Sequence, residues 1–333
     1  MLPLPSIHLT CPYPLESLNG NSVSARRILS ILRELGFAVT SGMPDEISGA
    51  DADIHLAMNA TRSHAAVVEF HRRFPDRPTM VLLTGTDLYR DYPAGNVPTI
   101  ESMELADRLV VTQPASLNSL SEVLRAKASV VTKSLEIDLP EMDATELLRH
   151  DGFLVEMAFH GRATKDPFLV LEAIALLSDL TDLRVTHIGR DRGDSFGEQA
   201  KQWMEREPRY QWIGELPHEK VLHRIRSADL TLNTSRIEGG SNSILEAVMC
   251  GVPILTSDIE PNVGQLGDEF PGLFPVGDAA ALAKLIERCY RDTGFLEGVR
   301  GATVARQPMF TREAEASAWM AAIGETRVAK CSN

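Results

Sequence analysis

The sequence predicts an α/β protein built from two doubly wound halves, and three observations carry that prediction. The chain has 333 residues, about twice the length of an ordinary domain. Short β-rich runs alternate with amphipathic stretches, the pattern of parallel βαβ units with right-handed crossovers. An acidic passage at 136–151 interrupts the alternation, which then restarts. The expected boundaries are 1–150 for a first Rossmann-like domain, 151–310 for a second, and 311–330 for a closing helix able to pack back on the first.

In the first half, residues 6–10 read as the opening strand. Residues 23–35 carry Ile28, Leu29, Leu32 and Leu35 at helical spacing, and Gly36 suits the stop. Further strands fall at 37–41, 53–58, 80–83 and 108–112, a helix falls near 65–74, and a strand at 129–133 closes the sheet. In the second half, strands fall at 153–159, 184–188, 210–213, 230–233 and 253–256. Helices fall at 167–177, 218–227 and 241–250, then at 279–290, 295–306 and 312–322. Two doubly wound sheets facing each other across a cleft follow, with ligands expected outside the carboxyl ends of the strands.

Composition excludes several functions. Hydrophobic residues make up 44% and charged residues 24%, enough for packed cores. Lys+Arg 33 against Asp+Glu 46 leaves a net charge of −13, which argues against a general nucleic-acid partner. No run approaches the roughly 18 apolar residues of a membrane span. The opening MLPLPSIHLTCPYPL has no basic n-region, so no secretory leader is expected. Cys11, Cys250, Cys289 and Cys331 share no metal or redox spacing, and a reducing cytoplasm is the expected setting. No Asp-x-Asp pair sits at a strand end, so metal independence is expected; the DAD at 51–53 precedes a strand and reads as surface. No G-x-G-x-x-G follows an early strand, which disfavours a dinucleotide dehydrogenase. Oligomeric state is open.

The most informative stretch is SRIEGGSNSILEAVMCGVPILTSD, from Ser235 to Asp258. A strand ends near Thr234, and a loop with Glu238, Gly239 and Gly240 enters a helix near Ser241. Glycines at a helix entrance let the backbone approach a ligand closely, and Ser241 or Asn242 can cap or donate. Free N–H groups and the helix dipole there suit a diphosphate. Glu246 lies about 6 Å further along the axis. A carboxylate on each side of an anion site can hold hydroxyls on both sides of a diphosphate, the layout a nucleotide-sugar needs.

Other segments carry polar groups at strand ends. In FHGRATKDP, Arg162 and Lys165 sit where cations oppose the helix dipole, which favours a role in neutralising a diphosphate leaving group. Asn19, Gly20 and Asn21 lie between the first strand and helix; a cap explains them, and so does a loop directed at a donor phosphate. Arg26 and Arg27 follow, and one of them can face the cleft. In TGTDLYRD, Thr86, Asp87 and Arg90 are assigned to the acceptor side, with Arg62 of NATRS from a neighbouring strand.

The donor segment resembles that of retaining glycosyltransferases with the two-domain GT-B fold, of the family 4 type. The resemblance implies that Glu238 contacts the transferred sugar, Glu246 holds the ribose hydroxyls, and Arg162 and Lys165 face the diphosphate. WIGELP resembles the strand and loop that hold the nucleobase, which places Gly214, Glu215 and Leu216 at the donor; Trp212 reads as core. Within this group, NGN with ARR, TGTDLYRD, SRIEGGSNSILEAV, SDIEPNVGQLG and FPGLFPVGD resemble the selenosugar synthases of bacterial selenoneine biosynthesis.

That resemblance implies transfer of a sugar from a UDP-sugar, UDP-GlcNAc or UDP-glucose, to selenophosphate. Such an acceptor is a strong nucleophile needing little base catalysis but cationic contacts, for which Arg62, Arg90 and Arg26 or Arg27 are candidates. An alcohol acceptor wants a base; many relatives carry a histidine at the acceptor loop, where this chain has Asp87. A conventional glycosyltransferase with a saccharide acceptor and a non-catalytic nucleotide-sugar-binding protein are the alternatives. Retention or inversion is open.

Overall fold

The computed structural model describes residues 4–17, 19–137, 152–193 and 195–331. From residue 138 to 151, the acidic passage expected between the domains lies outside the described residues. The chain divides into two compact units: Met1–Ser134 with Glu238–Gly240 and Thr311–Asn333, and Leu135–Ile237 with Ser241–Phe310.

The first unit begins with β1 (Ile7–Thr10), α1 (Gly20–Glu34), β2 (Val39–Gly42), β3 (Ile54–Met58), α2 (His64–Arg73) and β4 (Thr79–Leu82). It continues with α3 (Val97–Leu105), β5 (Arg108–Val111), α4 (Glu122–Ala126) and β6 (Ala128–Val130). All pairings are parallel, in the order β2-β1-β3-β4-β5-β6. Both β1 (IHLT) and β3 (IHLAM) are buried on both faces, as a parallel sheet between helices requires, and their polar Thr10 and His55 side chains bond each other at 2.9 Å. Helix α1 starts three residues before the expected position because Asn19 caps it, its Oδ1 accepting the Asn21 and Ser22 N–H groups at 3.1 and 3.0 Å.

The second unit contains β7 (Phe153–Ala158), α5 (Leu169–Ala175), β8 (Leu183–Ile188), α6 (Phe196–Arg206), β9 (Tyr210–Gly214) and α7 (His218–Arg226). After these come β10 (Leu230–Asn233), α8 (Asn242–Cys250), β11 (Ile254–Ser257), α9 (Glu260–Leu266), β12 (Leu273–Phe274), α10 (Ala279–Arg291) and α11 (Thr293–Val304). Its parallel sheet runs β12-β11-β10-β7-β8-β9, the doubly wound Rossmann order, with the direction of winding reversing between β7 and β10. Val155, Leu171, Ile174, Leu183, Leu230 and Ile286 belong to its core.

Helix α12 (Arg312–Cys331) belongs to the first unit and runs further than the 312–322 expected from sequence. Its Trp319 is fully buried among Ile28, Leu32 and Val131. Buried Glu315 anchors it, accepting from Arg27 Nε at 2.9 Å, from the Ser134 N–H at 2.7 Å and from the Ser134 hydroxyl at 2.5 Å. A buried carboxylate is tolerable only with such partners. Among the described residues no helix is long and apolar enough to cross a membrane.

Candidate active site

Both loops at the reversal point of the second sheet carry the expected polar groups. After β7, Gly161 donates its N–H to the Arg190 carbonyl at 2.9 Å, and a Cβ there would lie 2.1 Å from the Phe196 ring, so only glycine fits. The chain then exposes Arg162 and turns through a short 3-10 segment that buries Lys165. His160 lies among Arg162, Arg190 and Arg192; burial, and then the Arg192 charge, push its pKa down to about 4. The imidazole is therefore neutral at pH 7, and its Nδ1 accepts the Arg190 backbone N–H at 3.1 Å.

The loop after β9 is organised by its neighbours. The Gly214 carbonyl accepts the Gly189 N–H at 2.8 Å, Trp212 Nε1 donates to the Gly189 carbonyl at 2.8 Å, and the Trp212 ring packs edge-on against Phe196. Glu215 pairs with the Arg190 guanidinium, and Leu216 is half-buried beside it in sequence.

The mouth of α8 is built more tightly than spacing alone suggests. Ser241 is its N-cap, with Oγ accepting the Ile244 N–H at 3.4 Å and the Asn233 amide at 2.6 Å. The first-turn N–H groups of exposed Asn242 and buried Ser243 have no partner within the helix, the condition for an anion site. Gln265 of α9 receives the Ser241 N–H at 2.7 Å. Asn262, in the same EPNVGQLG segment, donates to Thr256 Oγ1 at 2.8 Å and to the Ser257 carbonyl at 3.0 Å. That segment thus props the helix mouth. Glu246, one turn further along, is buried and accepts from His218 Nε2 at 3.0 Å.

Glu238–Gly240 group with the first unit. The Gly239 carbonyl accepts from the Thr112 hydroxyl and the Gly240 carbonyl from Lys133 Nζ, each at 2.9 Å. A Cβ on Gly239 would lie 2.3 Å from the Thr84 carbonyl oxygen, and one on Gly85, at φ +123, would lie 2.6 Å from the Gly239 nitrogen. The close approach these glycines permit is therefore to another loop of the protein. Glu238 itself is buried.

Within the first unit, Asn59 ties the ends of β3 and β4: its Nδ2 donates to Thr84 Oγ1 at 2.8 Å and its Oδ1 accepts the Arg62 N–H at 2.9 Å. Asp87 is fully buried, and its carboxylate accepts backbone N–H groups from Ala60, Thr84, Gly85 and Leu88 at 2.8–3.1 Å. Burial pushes its carboxyl up while those amides pull it down. Asp87 organises the loop that carries half-buried Thr86. The loop closes in a π-turn, Asp87–Asp91, in which the Tyr92 N–H reaches the Asp87 carbonyl at 2.8 Å. Arg62 lies over the Tyr13 ring at 5.3 Å, Arg90 pairs with Asp91 at 2.7 Å, and both cations lower the Asp91 pKa, so these two arginines share one patch. Arg26 is occupied elsewhere, donating to the Leu15 and Ser17 carbonyls, and Arg27 holds Glu315. Gly20 and Asn21 form the first turn of α1 behind the Asn19 cap.

No group of three or more His, Cys, Asp or Glu side chains able to hold a metal occurs among the described residues. Asp51 pairs with Arg77, and Asp53 accepts from Ser6.

Residues 141–300 match the family described as glycosyl transferases group 1. Solved structures extend the likeness over both units. Anabaena HepE, crystallised with UDP, aligns at TM-score 0.78 and 14% identity, covering 96% of this chain and 99% of that one. A sucrose-phosphate synthase from Thermosynechococcus elongatus aligns at TM-score 0.79 and 16% identity, covering 97% and 99%. A glycosyltransferase from Rickettsia africae aligns at TM-score 0.75 and 13% identity, covering 96% and 98%. These likenesses show the fold, the two-domain GT-B architecture.

Sequence reasoning passed over His218, Gln265, Asn233 and Thr112. The first two stand 28 and 24 residues from Glu246 and Ser241, the partners that give them meaning. The one available signal for His218 was its place immediately after WIGELP, as the first residue of a helix.

Proposed function

We propose that the protein transfers a hexose from a UDP-sugar to a small anionic acceptor, with selenophosphate as the acceptor of the resembled group. The donor reading is carried by the α8 mouth: first-turn N–H groups of Asn242 and Ser243 without a partner among the described residues, preceded in sequence by Glu238 and followed by Glu246. HepE was crystallised with UDP-glucose, and its fold likeness here, TM-score 0.76, supports the same class of donor. Exposed Arg162 and buried Lys165, with the helix dipole, would offset charge on the departing diphosphate. Gly214, Glu215 and Leu216 would carry the base.

The acceptor reading rests on one observation. Asp87, at the acceptor loop, has its carboxylate held by backbone amides, which removes it from proton abstraction. Arg62 and Arg90 beside it supply positive charge suited to an anion that is already nucleophilic. Purified protein incubated with UDP-GlcNAc or UDP-glucose and selenophosphate should yield UDP and a sugar–selenium adduct by mass spectrometry. UDP release only with a saccharide would favour the conventional acceptor; UDP binding without release would favour a sensor. Glu238→Ala and Arg162→Ala should each abolish turnover in a folded protein, and full activity in both would overturn the donor assignment.

A further inference from the structure

We propose that His218 is a positioning residue for nucleotide recognition, holding the Glu246 carboxylate in the orientation that receives the ribose hydroxyls. This rests on the donor-site reading above and adds to it a residue that makes donor affinity depend on pH. Glu246 projects from α8 with only 12% of its side chain exposed, and a carboxylate so placed needs a hydrogen-bond partner to stay fixed. His218 Nε2 supplies it, 3.0 Å from Oε1, and among the described residues no other side chain bonds to that carboxylate. The second oxygen, Oε2, is left to accept hydroxyls. His218 is set in place by the backbone: it opens α7 directly after Pro217, and α7 packs against α8.

Other titratable groups lie on the surrounding elements, among them the Lys220 and Arg226 cations of α7 itself. On β7, Glu156 pairs with Arg224 of α7; on the loop after β9, Glu215 pairs with Arg190. On α7 itself, Glu219 lies 4.0 Å from His223. On α8, burial pushes the Cys250 thiol up to about 12, so it carries no charge. Glu246 is thus the group that acts on His218, and its hydrogen bond raises the imidazole pKa above 6.5. A charged donor grips a carboxylate more firmly than a neutral one, so the ribose site is best ordered below that pKa and loosens as pH rises through it.

The test is calorimetric titration with UDP and with 2′,3′-dideoxyuridine diphosphate, from about pH 6 to pH 9, spanning the histidine range. Each UDP affinity and profile is taken as the ratio to the dideoxy probe at the same pH, which cancels the titration of the terminal phosphate the two share. Wild-type affinity for UDP should fall severalfold as pH rises. His218→Ala should bind UDP about tenfold more weakly at low pH, and its profile should be flat. His218→Gln keeps a donor without the titration, and should restore much of the affinity with a flat profile. Neither substitution should change binding of the dideoxy probe, which lacks the hydroxyls. A wild-type profile retained in His218→Ala, or equal weakening for both nucleotides, overturns the role of His218. Unchanged UDP affinity in Glu246→Ala overturns the ribose assignment beneath it, so the two failures are separable.

Discussion

Gln265 holds Ser241 from both sides: its Oε1 accepts the Ser241 N–H at 2.7 Å, and its Nε2 donates to the Ser241 carbonyl at 3.3 Å. The residue that caps α8 is thereby fixed by a side chain from the next helix, and the amino-terminal end of α8 inherits that rigidity. Both residues are buried, so the pair is protected from competing water.

Replacing Gln265 by Ala leaves the buried Ser241 N–H without its partner, while the Ser241 carbonyl keeps the Leu245 N–H, at a cost of about 1–3 kcal/mol. Gln265→Glu is the sharper test. It cannot donate to the Ser241 carbonyl, and it brings a negative charge to the place proposed for a diphosphate. Its UDP affinity should fall further than that of Gln265→Ala. Calorimetry beside thermal melting separates the electrostatic loss from the structural one.

Gly85→Ala should be damaging out of proportion to its size. The new methyl would meet the Gly239 backbone at 2.6 Å, and φ of +123 is unfavourable to any side chain. The Glu238 loop must shift, and turnover should drop by roughly tenfold or more, with a lowered melting temperature. Wild-type kcat/KM in this variant would show that the loop tolerates displacement.

Asp87 is expected to matter for folding rather than for proton transfer. Asp87→Asn turns an amide group toward backbone donors and should cost about 2–3 kcal/mol in urea unfolding. The limbs of the pH–rate profile should not move. A lost basic limb would restore the aspartate as a catalytic base.

Stability should decline in mild acid. His55 and His187 are almost wholly buried, and burial lowers their pKa values to about 3 and about 4. An unfolded histidine takes a proton near pH 6.5, whereas these do so only well below it. The unfolded state therefore binds more protons as pH falls from 6.5, and each residue removes up to about 1.4 kcal/mol per pH unit. The loss ends near the folded values. In His187→Gln, whose amide can serve both the Phe159 carbonyl and the Tyr210 hydroxyl, the drop in urea midpoint between pH 7 and pH 5 should shrink.

Much of this architecture is legible in the chain. The strand Leu230–Asn233, the glycine loop and the helix at 242–250 stand out because apolar runs, turn residues and a cap coincide there. Helices α3 and α9 are not, since Pro98, Pro261 and Gly264 look like interruptions although each proline occupies a first-turn position, where its missing N–H costs nothing. Strand β12 has two residues and no period to detect. In the candidate site, strand-end polar residues can be found by position. What they touch cannot: Arg26 is turned to the Leu15 and Ser17 carbonyls, and the Glu246–His218 pair depends on how α7 packs on α8. Tertiary packing fixes those contacts, and no local spacing encodes them.

The return of α12 to the first unit has a practical consequence for dissecting the protein. Cutting the chain at Ser134 does not liberate an intact amino-terminal half: the severed piece lacks Trp319, and the void would cost about 3–5 kcal/mol on the scale of a large aromatic deletion. Arg27 and Ser134 would also lose the Glu315 carboxylate. An isolated version calls for splicing 311–331 after residue 134, a discontinuous graft in place of a simple truncation.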